Sequence, residues 1–596
     1  MSGVMSQRTR SRPRGVRGFR VLLLRTAAAV LVAAAILVEL PSAQAGASGV
    51  LDPSFGRGGI VLTPFGGNLD AAVAGLGLQP DGKIVAGGGV GDRITLARYR
   101  PDGSLDRAFG SRGIATTTLA DNARVGAITL QPDGRIVVAG GTGTGEEGFL
   151  VARYTPGGVL DRSFGTNGFV RTPIDGVAFA HAIARQHDGK IVVAGISYVK
   201  SHQAFALARY NAAGSLDRSF GSGGVVTTLI DDWDDARGVA IQPDGKIVVA
   251  GAASGCCVDD NSLWDFALAR YRPDGSLDPG FGDGGVVTTP IGTYTRDWAK
   301  AVVLQPDGKL IVVGDTTNER TQGGFALAGY LPNGSLDSGF GSGGRVIHLG
   351  PYGGSLEAVA LQPDGKVVAA GASAGRGFAV VRLLPNGTFD ETFGVEGIVS
   401  LRLAKEPGSP DEALAVAVQK NGGIVAAGQS YQKQTDEAHS VFALVRLLGD
   451  RSHRLRVRLR GGRKGTVVSK PAAISCGKTC SAWFGAGTSV KLITKPPRGW
   501  IVTWSRACSG ERRSCRLRMG ANRTAVATFS RCVVPRAVGK PLTRAKRAIR
   551  RAHCSLGHVK RRSSRKRAGL VLGQRPRPGA KRPAGTPIDL VVSRGR

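Results

Sequence analysis

"QPDGKIVVAG", residues 242–251, returns along the chain as "QPDGKIVAGG" (79–88), "QPDGRIVVAG" (131–140), "QHDGKIVVAG" (186–195), "QPDGKLIVVG" (305–314) and "QPDGKVVAAG" (362–371), with a worn copy, "QKNGGIVAAG", at 419–428. In Q-P-D-G-K the proline presets φ at the second turn position and the aspartate suits the third. The glycine takes the left-handed conformation that closes a hairpin. The run that follows is apolar on both faces, as in a strand held between two layers.

A second motif recurs out of phase with the first. "LDPSFG" begins at 51, "LDRAFG" at 105, "LDRSFG" at 160 and 216, "LDPGFG" at 277, "LDSGFG" at 336 and "FDETFG" at 389, a period of 53–61 residues. Between the motifs lie short β-rich runs such as "VVTT" and "FALARY", the latter with Phe205, Leu207 and Arg209 on one face and Ala206, Ala208 and Tyr210 on the other. Four short strands and no helix per unit mark a β-propeller blade, and seven units predict a seven-bladed ring; an open β-solenoid is the alternative. The chain enters at "LDPSFG" without a preceding "FALARY" and leaves at "FALVRLL" (442–448), so strands from both ends are placed to complete one blade. The blade frame stays open at this point. These units, over 51–448, resemble the delta-sixty repeat family of secreted bacterial sequences. The resemblance implies a propeller-like β-domain and no settled activity.

Recurrence separates framework from chemistry, because an active site appears once per protein and a framework contact once per blade. The recurring aspartates (Asp52, Asp106, Asp161, Asp217, Asp278, Asp337, Asp390) and strand arginines (Arg98, Arg153, Arg209, Arg270, Arg382, Arg446) are therefore read as structural. The predicted blade pairs are Arg98–Asp106, Arg153–Asp161, Arg209–Asp217, Arg270–Asp278 and Arg382–Asp390. The fifth unit has Gly329 in the arginine's place. Repeated calcium sites at the DG turns lack the D-x-D-x-D-G spacing.

Among unique residues, His181, His187, His202, His348 and His439 show no metal spacing, and no G-x-S-x-G elbow occurs. No catalytic, cofactor-binding or metal residue is assigned, and no cofactor is expected. "DDWDD" (231–235) is a lone acidic cluster, read as a solvated loop, with a cation or basic partner as the alternative. Cys256 and Cys257 are adjacent, and a vicinal disulfide or two thiols are both open.

Charge divides the chain. Of its 596 residues, 451–596 hold 38 Lys+Arg against Glu511 and Asp589, whereas 46–450 are mildly acidic. Residues 1–45 read as a secretory signal: a basic n-region, the apolar "TAAAVLVAAAILVEL" and the small-x-small site "AQA" ending at Ala45. No transmembrane segment is expected after cleavage.

In 451–531, "HRLRVRLR" (453–460) alternates as a half-buried strand with Leu455, Val457 and Leu459 inward. "TVVSKP", "SVKLITKP", "WIVTWS", "CRLRM" and "TAVATFS" follow as strands. Cys476, Cys480, Cys508 and Cys515 suit disulfides, paired 476–480 and 508–515, that staple a small secreted core; crossed pairing and a zinc site are the alternatives. The run from "ISCGKTC" to "TAVATF" resembles a divergent internalin-type B-repeat, which implies a spacer or stalk.

Residues 532–596 open with "VVPRAVG" and a helix carrying Leu542, Ala545, Ile549 and Ala552 on one face. Pro541 stands where a Ser or Thr cap is common. "LVLGQRPRPG" and "DLVVSRG" complete the pattern, and "KRRSSRKR" (560–567) reads as a surface loop. Cys532 and Cys554 bracket the helix and are expected to pair. This segment resembles a PASTA domain, which implies binding of cell-wall muropeptide or glycan.

The expected fold is mainly β: a signal peptide (1–45), a seven-repeat propeller (46–450), a small all-β disulfide-stapled module (451–531) and a small α+β PASTA-like domain (532–596). The expected function is that of a secreted, cell-wall-associated bacterial surface protein without enzymatic activity, binding or scaffolding through a propeller face whose ligand is unknown. Peptidoglycan or anionic wall polymers are the expected partners, through the basic tail, and nucleic acid is not. Salt-sensitive polyanion binding is a third reading. The alternative is a secreted propeller lyase or hydrolase targeted to glycan. It requires a non-repeated acid/base cluster at one end of the channel, for which "DDWDD" is the sole sequence candidate.

Overall fold

The computed structural model describes residues 48–596 except 66–68, 119–122, 143–147, 200–201, 256–262, 294, 319–320, 351–352, 376, 405–409, 434–437, 451, 462–464, 471–473, 477–479, 486–487 and 511–512. The signal segment and the Cys256–Cys257 pair fall outside the described residues.

Each Q-P-D-G-K segment forms the expected hairpin. Gly245 N–H donates to Gln242 O at 2.9 Å, Gln242 N–H to Lys246 O at 2.8 Å, and Gly245 sits at φ +85°. The Asp244 carboxylate accepts from Lys246 N–H, so the side chain reinforces the turn. The turn joins the innermost strand of a blade to its second strand. In the third blade the four strands are Ala178–Arg185, Ile191–Val199, His202–Tyr210 and Val225–Thr228, all antiparallel.

Seven such sets occur. Their innermost strands are Ala71–Leu78, Ala123–Leu130, Ala178–Arg185, Trp233–Ile241, Arg296–Leu304, Gly354–Leu361 and Asp411–Val418, taken as blades 1 to 7. Each touches the next, and Asp411–Val418 touches Ala71–Leu78, so the ring is closed. A single parallel bridge, Gln203 to Trp233, links the sheets of blades 3 and 4. The seventh blade takes its outer strand, Ile60–Thr63, from the opposite end of the repeat region, where it pairs with Ala438–Leu447. This fixes the frame that the sequence left open.

The "FALARY" alternation explains how blades stack. Phe205 and Leu207 of blade 3 pack into one buried cluster with Ala267, Ala269 and Tyr271 of blade 4. Phe266 and Leu268 of blade 4 do the same with Ala326, Ala328 and Tyr330 of blade 5. A large face meets a small face at each joint, which keeps the interior filled. The buried tyrosine hydroxyl is satisfied by the "VVTT" threonine of the preceding blade: Tyr271 donates to Thr228 at 2.9 Å, and Tyr210 lies 2.6 Å from Thr172.

The β-module forms two four-stranded sheets around one core that includes Leu455, Val457, Phe484, Trp504 and Phe529. Leu459 is 36% exposed, so only two residues of the "HRLRVRLR" face enter that core. Cys476–Cys480 and Cys508–Cys515 are bonded. In the C-terminal module, helix Leu542–Arg551 buries Ala545 and Ile549 against a three-stranded sheet, with Cys532–Cys554 bonded beside it. Pro541 occupies the helix cap without a side-chain bond. "KRRSSRKR" is only partly a loop, because Lys560–Arg562 end the exposed strand Ser555–Arg562. Among the described residues no helix is long and apolar enough to cross a membrane.

Candidate functional site

Two layers of polar residues run around the propeller. The first repeats. In blade 3, Arg209 Nε lies 2.8 Å from Asp217 Oδ2, and its guanidinium stacks 4.5 Å from the Phe220 ring centroid. Its Nη1 donates to the Pro273 carbonyl, in the loop after blade 4's third strand. Lys190, from the Q-H-D-G-K turn, reaches the same carboxylate at 3.0 Å. The two recurring motifs thus meet at one carboxylate.

The same joint places Arg98 3.0 Å from Asp106, Arg153 2.8 Å from Asp161, Arg270 2.8 Å from Asp278 and Arg382 2.8 Å from Asp390. Arg446 and Asp52, at 3.0 Å, close the ring. Blade 5 departs: a Cβ on Gly329 would lie 2.7 Å from Phe340 Cβ, and Asp337 meets Lys309 alone at 2.9 Å. Burial raises the Asp390 pKa, but Thr392, Lys366 and Arg382 together outweigh it and hold the carboxyl at about 2.

The second layer does not repeat. Every innermost strand carries a β-bulge at the same point, and the bulged residues are Ala74, Gly126, His181, Arg237, Lys300, Glu357 and Leu414. A bulge re-aims its side chain. The glycine ending "KIVVAG" accommodates it: a Cβ at Gly251 would stand 2.0 Å from Asp235 O, and one at Gly314 1.8 Å from Trp298 O. That crowding accounts for a glycine at this position in all seven copies.

Four of the seven bulges carry polar side chains, and these converge. Arg237 Nη1 lies 3.5 Å from His181 Nδ1, and Arg237 also donates from Nε and Nη2 to Asp235 at 2.7–2.9 Å. Lys300 lies 4.6 Å over the Trp298 ring and 3.9 Å from Asp315 Oδ1. Glu412 accepts from Gln429 at 3.1 Å.

The fields of these groups reach across blades. Burial, with Arg237 and Lys300, pushes the His181 pKa down to about 3, so its imidazole is neutral. Burial pushes Asp315 up to about 7, opposed by Lys300 and helped by Glu357. Burial and Glu357 also raise Glu412. Lys300 of blade 5 therefore acts on both His181 of blade 3 and Glu412 of blade 7, which places these side chains together at the ring axis.

The two layers occupy opposite ends of the ring. The Arg–Asp–Lys joints lie at the hairpin turns. The polar cluster lies at the other end of each innermost strand, beside the loops of variable length that enter it. The chain leaves the propeller on the joint side, where Asp450 pairs with Lys366 and Arg382 at 2.9 Å.

"DDWDD" is not a solvated loop. Trp233–Ile241 is a strand, Asp234 is fully buried accepting from Ile230 N–H and Asp231 N–H, and Asp235 holds Arg237. Asp297 and Asp411 similarly accept backbone N–H groups at Ile291 and Gly292 and at Leu403 and Ala404, so this buried aspartate is a loop anchor. His187 lies exposed in a turn, and His202 lies 3.3 Å from Asp232. Sequence reasoning missed Arg237, Lys300, Asp315, Glu357 and Glu412. The available signal was the column five residues before each turn glutamine, which reads Ala, Gly, His, Arg, Lys, Glu, Leu from blade 1 to blade 7.

At the other end of the chain, Lys540, Arg544, Arg547 and Arg551 line a shallow groove of about 720 Å³ along the C-terminal helix. Thr543, Lys546, Arg550 and His553 flank it.

Comparison with known proteins agrees with this division. A family model described as "Domain of unknown function (DUF5122) beta-propeller" matches residues 79–109, 131–164, 186–220, 242–281, 305–340 and 362–393. A PASTA domain model matches 533–594. No curated protein matches the chain. Similar solved structures include a protein of unknown function from Dyadobacter fermentans, 12% identical, covering 65% of this chain and 97% of its own, with a TM-score of 0.35. The polysaccharide lyase Uly1 is 9% identical over 63% of this chain and 90% of its own, with a TM-score of 0.37. Drosophila Semaphorin 2a is 9% identical over 78% and 97%, with a TM-score of 0.37. The chain thus carries DUF5122 β-propeller repeats and a C-terminal PASTA domain, a pairing that suggests a protein of the cell surface or cell wall.

Proposed function

We propose that the protein is an exported, wall-associated binding protein. Its C-terminal domain contacts peptidoglycan or its anionic polymers, its delta-sixty-type propeller presents a ligand face, and a B-repeat-type module spaces the two. The carrying observation is the pairing of a PASTA domain, with a helix lined by Lys540, Arg544, Arg547 and Arg551, to a propeller whose non-repeated polar residues lie at the end opposite the chain's exit. A guanidinium row recognises carboxylates and phosphates through paired N–H donors.

Co-sedimentation with purified sacculi tests it, at low and high salt, with intact sacculi and with sacculi stripped of anionic polymers. Retention that survives salt and stripping, and that falls with the triple variant Arg544→Gln, Arg547→Gln, Arg551→Gln, supports muropeptide contact. Retention lost with salt and stripping reassigns the helix to anionic polymers. No retention at all overturns wall association.

A second reading has its own observation. The channel brings Asp315, Glu357 and Glu412 together with two carboxyl pKa values raised, an arrangement suited to proton transfer. It supports a glycan lyase or hydrolase. Release of reducing ends or unsaturated sugars from wall glycan by the wild type, abolished in Asp315→Asn, would favour it over the binding reading.

A further inference from the structure

The channel cluster is unbalanced in charge. Arg237 is engaged by Asp235. That leaves Lys300 facing three carboxyl groups on three successive blades, Asp315, Glu357 and Glu412. Lys300 does not neutralise Asp315 by contact, since 3.9 Å lies beyond hydrogen-bonding distance. Two buried atoms in the wall have no hydrogen-bond partner, Asp315 Oδ1 and His181 Nε2. Buried polar atoms left unpaired are costly, so such a pair marks a place where a partner belongs.

The chemistry of the partner follows from the donor set. Excess carboxylate selects a cation. Among the described residues no three of His, Cys, Asp and Glu come together closely enough to hold a metal ion. The carboxyls are distributed over blades 5, 6 and 7, which suits a group donating several hydrogen bonds in different directions. A primary ammonium donates three. Trp298, 37% exposed, adds an aromatic face beside them. Opposite this arc, blades 1 and 2 place only Ala74 and Gly126 at the bulge, so the rest of a small molecule has room.

We propose that the channel binds a small ligand through a primary ammonium group, held by Asp315, Glu357 and Glu412 beside Trp298. The ammonium belongs either to a free diamine or to a lysine-type side chain of a short peptide. The inference rests on reading the propeller as the ligand-presenting part. Its failure would leave retention on sacculi where it stands, because the two are measured separately.

Calorimetric titration of the full chain at pH 8, above the pKa of about 7 to which burial pushes Asp315, tests it. The probes are 1,5-diaminopentane, the tripeptide Ala-Lys-Ala with blocked termini, and the same tripeptide with its lysine Nε-acetylated. The expected result is saturable binding of at least one amine probe and none of the acetylated one. Preference for the diamine or the tripeptide identifies the source. Glu357→Gln and Glu412→Gln should each weaken binding about tenfold or more with unchanged melting, and Asp337→Asn, a joint carboxyl at the other end of the ring, should leave it unchanged. Two separate channel variants guard against one that misfolds. Absence of binding by both amine probes, equal binding of the acetylated probe, or binding undiminished in both glutamate variants overturns the proposal.

Discussion

The joint end and the channel end of the propeller are built from the same strands under opposite rules. At the joint end, one carboxylate, one guanidinium, one phenylalanine and one turn cation recur with nearly constant distances. At the channel end, the equivalent position changes identity in every blade. Sevenfold repetition marks what the ring needs in order to close, and the departure from it marks what distinguishes this ring from a bare framework. The contrast is open to attack from either side.

The largest effect belongs to the joint. Arg382 is fully buried and holds Asp390, Asp450 and Ser48 at once, so it ties together both ends of the repeat region. Arg382→Met keeps most of the volume but strands Asp390 in the interior with only Lys366. Breaking a buried ion pair from one side costs about 3–5 kcal/mol. Chemical denaturation should show a loss in that range. A loss below about 1 kcal/mol would mean that the joints decorate the ring rather than hold it.

Next is the contact through which the repeat accommodates the channel. Gly251→Ala places a methyl 2.0 Å from Asp235 O, against backbone that has no rotamer to yield. Overpacking of this kind costs about 1–3 kcal/mol. The change also pushes the Asp235–Arg237 pair out of register, so it should reduce ligand binding in the channel as well as melting temperature. Loss of stability without any change in the channel would separate the two layers.

The two layers should also respond to pH with opposite sign. Asp390 has its pKa lowered in the folded state, so its contribution is present above about pH 4 and is lost as pH falls toward 2. Asp315 has its pKa raised to about 7, with Lys300, Glu357, Asp297 and Arg237 around it and Glu412 and His181 close by. The folded state then binds the proton more tightly than the unfolded chain, so stability falls as pH rises from about 4 through 7. Asp315→Asn should remove that fall, gaining on the order of 1–2 kcal/mol at pH 8 and nothing at pH 4. A flat difference across this range would show that Asp315 is not a buried acid.

Most of the fold was legible because it repeats. The turn, the strands, the Arg–Asp spacing and the "FALARY" alternation are local patterns whose periodicity states their role. The channel was legible only in part. His181 was noticed as a histidine, and Asp235 within "DDWDD", but Lys300, Glu357 and Glu412 look like single charges on β-rich segments. Nothing in a two-residue alternation announces a bulge, and it is the bulge that aims them. Asp315 was hidden by context: it follows the "IVVG" glycine where other blades have Gly89, Ile196, Ala252 or Gln429. Reading the seven copies as columns rather than as rows exposes these positions.

The smallest expected effect is the sharpest control, because the protein contains its own mutant joint. Blade 5 lacks the arginine, and Phe340 lies where that side chain would run. Asp337 there meets only Lys309, whose side chain is 35% exposed, and the Gly339 N–H. A half-exposed pair of this kind is worth about 0.5–1 kcal/mol. Asp337→Asn keeps the acceptor for Gly339 and should cost no more than that. The same change in blade 3, Asp217→Asn, faces both Arg209 and Lys190 and leaves a buried guanidinium without its counter-charge, at a cost of about 3 kcal/mol. Measured side by side in one chain, the two substitutions share chemistry, turn geometry and backbone. Only the arginine differs, so the difference between them reports what that residue contributes to closing the ring. Equal costs would move the stabilisation from the ion pair to the turn.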